Sequence, residues 1–100
     1  MKQKQLADNG QTKFSLKKPS IYNVIMHNDD VTTMDFVVKI LVNIFCMTKD
    51  NAETTMMKIH NEGSAVVGEY FLDIAETKVY LTDQLAKEND FPLHLTIKEA

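Results

Sequence analysis

The chain has 100 residues, a formal charge of -3, 44% hydrophobic and 25% charged residues, a composition that allows one small globular domain with a modest core and leaves no room for a second. All eleven basic residues are lysines; without arginine the chain lacks the side chain best suited to bidentate phosphate or guanine contacts, which argues against nucleic-acid binding. A single cysteine excludes an internal disulfide, and no run is long or apolar enough for a secretory signal or a membrane span, so we expect a cytoplasmic protein, off the membrane and monomeric by default.

Residues 1–18 are polar and lysine-rich with no sustained hydrophobic period, and burial there cannot repay the entropy of ordering, so we read them as a flexible tail preceding a domain at 19–100. Pro19 closes the tail, and "SIYNVIMH" has the β-branched and aromatic alternation of a strand over Ser20 to His27. A loop, "NDDV", follows. Thr32 and Asp35 have capping-box spacing, which predicts a helix from there to about Met47, with Asp35, Lys39 and Asn43 on one polar stripe and the remaining circumference apolar. Cys46, at the end of this apolar run, reads as a buried, inert thiol.

Thr48 is a good N-cap and Gly63 a natural terminator for a second helix, "KDNAETTMMKIHNE", on which Met56 and His60 are stacked one turn apart. "SAVVGEYF" is the next strand, with Gly68 at a bulge or a close backbone approach. Asp73 is the expected cap of a third helix reaching about Asn89, and "FPLHLTIKE" closes the chain as a strand with Pro92 at its start. The order β-α-α-β-α-β predicts an α/β (α+β) domain, a three-stranded antiparallel sheet packed against three helices, an arrangement that also suits the carboxy-terminal domain of the ribosomal stalk protein.

Catalysis has little to stand on. There is no G-x-S-x-G elbow, no P-loop and no exposed-looking thiol, so we expect no enzyme. His27, Asp29, Asp30 and His60 are ligand types, but no C-x-x-C, H-E-x-x-H or calcium-loop spacing joins them, and we expect neither metal nor cofactor. A third chemistry is available. An Asn28 oxygen, the Asp29 carboxylate and a neutral His60 nitrogen all accept hydrogen bonds, matching the three donors of a protonated amine. Each residue alone has a plainer explanation: N-D-D is common turn chemistry, a histidine late in a helix sits favourably at the negative end of its dipole, and Met34 and Met56 are ordinary core fillers.

Taken together, "PSIYNVIMHNDDVTTMDFVV", "MMKIHNEGSAVVGEY", "DIAETKV" and "ENDFPLHLTI" resemble the adaptor family of the bacterial Clp protease, ClpS. The ordered set, N-D-D then T-x-M, M-x-x-x-H at a helix end, A-E-T-K and a late P-L, is far more specific than any part of it. The resemblance implies an adaptor that recognises proteins with a destabilising N-terminal residue (Leu, Phe, Tyr or Trp) and delivers these N-degron substrates to a Clp AAA+ unfoldase. It implies that Asn28, Asp29 and His60, supported by Asp30, bind the substrate α-amino group, and that Thr32, Met34, Val37, Met56, Ile59 and Leu93 form the side-chain pocket. It further implies docking on the unfoldase N-terminal domain through Asp73, Glu76 and Lys78, and a role for the tail in handover. Two positions depart from the family pattern: Thr33 stands where proline is common, which should loosen the loop, and Val31 where larger residues are frequent. A pure protein-interaction domain of ribosomal-stalk type is the alternative; it would not need the N-D-D and His60 cluster.

Overall fold

The computed structural model describes residues 20–100; the tail expected at 1–18 lies outside them. The order is β1 (Ile21–His27), α1 (Met34–Asn43), α2 (Lys49–Glu62), β2 (Ser64–Phe71), α3 (Leu72–Glu88) and β3 (His94–Glu99). The sheet is antiparallel with order β2-β1-β3, so the first strand is its centre. The expected α+β architecture, three strands against three helices, is the one observed.

Strand alternation decides which side is core. Val24 and Met26 of β1, Ala65 and Val67 of β2 and Leu95 of β3 are buried beneath the helices. Ile21 and Val66, of opposite parity, are exposed on the other face, and so is Phe71, which pairs with Ile21 beyond a shift of register in β2. α3 turns Ala75, Thr82 and Ala86 inward, and these small side chains let its backbone approach the sheet. Buried Thr82 remains satisfied because its hydroxyl donates to the Lys78 carbonyl at 2.9 Å. Ile40 and Leu41 of α1 and Ala52 and Ile59 of α2 complete the same core.

Several boundaries differ from expectation, each for a local reason. The cap of α1 is Thr33, whose Oγ1 accepts from the Phe36 amide at 3.2 Å; Thr32 lies one residue too early, and its hydroxyl is directed back to Asp29, to which it donates. Thr33 therefore closes the helix start with its side chain, and with φ of -74° its backbone is already near the proline value. The helix stops at Asn43, short of Met47, because the following turn widens: Phe45 N donates five residues back to Ile40 O and Met47 N six back to Leu41 O, and Cys46 takes a left-handed φ of 59°. That conformation turns the Cys46 side chain outward, so the thiol expected to be buried is exposed.

The α2 termini agree with the reading from composition. Thr48 accepts from Asn51 N at 3.2 Å, and Gly63, with φ of 94°, donates to Ile59 O at 2.9 Å. In β2, Val24 opposes Gly68 while Ile25 opposes Val66, leaving Val67 as the extra residue of a bulge. Gly68 also lies under the Tyr70 ring, whose outer atoms occupy the place a Cβ would take. α3 follows β2 without a gap, so Asp73 lies inside its first turn and is not its cap; Asp73 Oδ1 accepts from Ile74 N instead. Pro92, without an N–H, stays outside β3, which begins at His94 and not at Phe91.

Candidate functional site

β1 delivers the chain to the site at Asn28, whose amide donates to the Gly63 carbonyl at 2.9 Å. This bond joins the exit of β1 to the end of α2, bringing the N-D-D segment and His60 together across a long sequence separation. Between them lies a cavity of about 70 Å³. Asn28, Asp29, Thr32 and His60 supply its polar lining, and Met34, Val37, Met56 and Ile59 its apolar lining. Helical spacing accounts for the apolar residues: Met34 and Val37 are separated by three positions on α1, as are Met56 and Ile59 on α2.

Asp29 organises the loop. Its Oδ1 accepts from the Val31 amide at 2.8 Å and the Thr32 amide at 2.7 Å, and its Oδ2 accepts from the Thr32 hydroxyl at 2.7 Å. Partial burial works against its charge, but the bonds from the Thr32 amide and hydroxyl and the Val31 amide outweigh that cost, and the carboxyl lies below its ordinary pKa. A fixed anion thus stands in a small, half-apolar recess. Such a recess suits a ligand with a cationic or donor-rich head and a short hydrophobic body.

Two residues expected at the site lie off the cavity wall. Asp30 is exposed on the loop, outside the lining. Leu93 is buried in the core, held there by the short segment that leads Pro92 into β3. At the other expected surface, Asp73 and Glu76 are exposed on α3, whereas Lys78 is drawn inward. Its Nζ donates to Ile44 O at 2.6 Å, just past the end of α1, and stands 5.2 Å from the Tyr70 ring centroid and 6.0 Å from that of Phe45. Nothing in the sequence signalled this inward role, because Ile44 and Lys78 are brought together only by the packing of α1 beside α3.

Among the described residues, no three histidine, cysteine or carboxylate side chains converge as a metal cluster. No helix there is long and apolar enough to cross a membrane.

Comparison with known proteins places this fold and loop in a single family. Residues 17–96 match the family model described as ATP-dependent Clp protease adaptor protein ClpS. An ATP-dependent Clp protease adapter protein ClpS from Acetivibrio thermocellus is 47% identical over 83 residues, covering 83% of this chain and 84% of the relative. One from Vibrio atlanticus is 45% identical over 84 residues, covering 84% and 79%. Among solved structures, Agrobacterium tumefaciens ClpS2 bound to L-phenylalaninamide superposes with a TM-score of 0.80 at 41% identity, over 83% of this chain and all of the other. The chain belongs to the ClpS family of ATP-dependent Clp protease adaptors.

Proposed function

We propose that this adaptor binds proteins through a free N-terminal Leu, Phe, Tyr or Trp residue and hands them to a Clp AAA+ unfoldase, doing no covalent chemistry itself. The observation that carries this reading is the divided cavity, with hydrogen-bond acceptors from Asn28, Asp29 and His60 beside an apolar lining from both α1 and α2. The relative solved with L-phenylalaninamide supports it, since that ligand combines a free α-amino group with a hydrophobic side chain. Asn28, Asp29 and His60 hold the ammonium, Asp30 adds negative field from outside the wall, and Thr32 positions Asp29. Met34, Val37, Met56 and Ile59 enclose the side chain, with Leu93 supporting them from the core.

The magnitudes are consistent with a reversible handover. Burying a Leu or Phe side chain yields about 1.5–3 kcal/mol. Each charge-assisted hydrogen bond adds roughly 1.5–3 kcal/mol. After association costs, affinity on the order of micromolar follows. The deciding experiment titrates fluorescent Leu-initiated peptides with free and acetylated amines. Binding should nearly vanish on acetylation; equal affinity for the two would end the ammonium reading.

Docking on the unfoldase N-terminal domain falls to the start of α3. Asp73 and Glu76 present the charges, and Lys78 acts by holding the α1 terminus beside them. Residues 1–18 act in handover. A protein beginning after Lys18 should bind peptide normally but deliver substrate poorly to the unfoldase, as read by degradation rate; unimpaired delivery would remove this assignment.

A further inference from the structure

We propose that His27 and His94 form a cross-strand site for one divalent transition-metal ion of the imidazole-favouring class, Zn²⁺, Ni²⁺ or Cu²⁺. The two histidines are direct partners in the β1–β3 ladder. Their neighbours Met26 and Leu95 are buried, so strand alternation puts both imidazoles on the sheet face that the helices leave open. The ring centroids are 5.3 Å apart with the planes inclined at 33°. Two imidazoles bound at roughly 2.0–2.1 Å to one tetrahedral ion place their centroids about 5 Å apart, so the pair has the spacing of a chelate without strand movement.

A second contact bears on one ligand. His27 Nε2 lies 2.9 Å from the Thr96 hydroxyl oxygen. In the tautomer whose Nε2–H donates to Thr96, Nδ1 keeps its lone pair; an outer hydrogen bond of this kind is what orients ligating histidines in metal sites. Neither imidazole lines the peptide cavity, so the site is separate from the one proposed for substrate. No third protein ligand of histidine, cysteine or carboxylate type joins them among the described residues. Water completes the coordination, and the paired nitrogens select against Ca²⁺ and Mg²⁺, which require oxygen ligands. Bound there, the ion fastens β3 to β1 one residue before Asn28.

The test uses the full chain with Zn²⁺ and Cu²⁺ salts. Calorimetric titration should give one Zn²⁺ per chain, and Tm should rise on the order of 10 °C at a concentration about a hundredfold above Kd. His94→Gln should weaken Zn²⁺ binding at least tenfold while His60→Gln leaves it unchanged. Substoichiometric Cu²⁺ should broaden the His27 and His94 imidazole resonances of the unsubstituted protein first, a readout independent of how the variants fold. No saturable binding, equal affinity of the His94→Gln protein, broadening centred on His60, or one ion shared between two chains would each overturn the proposal.

Discussion

Asp29 receives three hydrogen bonds from Val31 and Thr32, and this concentration of donors explains why the loop needs two threonines in succession. Thr32 serves the carboxylate and Thr33 serves the helix. Because the folded pKa of Asp29 is depressed, its contribution to stability is complete above the unfolded value, about 3.9, and is lost as pH falls through the lower folded value. Thr32→Val removes one of the three donors, so the Asp29 pKa should move up toward its ordinary value, and the acid-dependent loss should become smaller and be complete at a higher pH; a carboxyl-carbon NMR titration measures the first and chemical denaturation across the acid range the second. Peptide affinity should fall with it, since the carboxylate would no longer be held in one orientation. Met34, 43% exposed at the cavity, is the other informative residue. Met34→Ala should widen the recess and admit peptides beginning with Ile or Val, measured as a narrowing of the Leu to Ile affinity ratio.

At the scale of elements, helix ends carry more of the design than helix faces do. Thr33→Ala should cost about 1 kcal/mol in chemical denaturation, the usual value of a lost N-cap. Gly63→Ala should cost about 1–2 kcal/mol, because φ of 94° is closed to a side chain with a Cβ, and it should also disturb the Asn28 to Gly63 bond. Lys78→Met should cost roughly 1.5–3 kcal/mol by leaving Ile44 O without its charged donor. These ends also mark how far the sequence could be read. The elements, their order and the Thr48 and Gly63 termini followed from local patterns, and so did the close approach at Gly68. The Thr32 and Thr33 roles were exchanged because capping-box spacing carries no information about the carboxylate three residues upstream. Cys46 was misjudged because one left-handed residue ends the helical phase that made it look buried. Lys78, Leu93 and the His27–His94 pair depend on contacts between distant segments, which periodicity cannot register.

For the molecule as a whole, the central position of β1 matters most. It is hydrogen-bonded along both sides, to β2 and to β3, so its amides should be the slowest to exchange in a native-state hydrogen-exchange series, opening only with global unfolding. The same arrangement sets how the domain answers a mechanical load. Residue 21 lies beside residue 100, with Ala100 N donating to Ile21 O at 2.9 Å. Tension between those two ends peels β1 from β3 one hydrogen bond at a time, the weak geometry of a zipper. Tension on residue 20 alone, with the helices held, must instead slide β1 lengthwise out of two ladders at once. This adaptor domain should therefore resist extraction of β1 by residue 20 and open readily when residues 21 and 100 are drawn apart, a contrast that single-molecule extension with handles at those positions would measure directly.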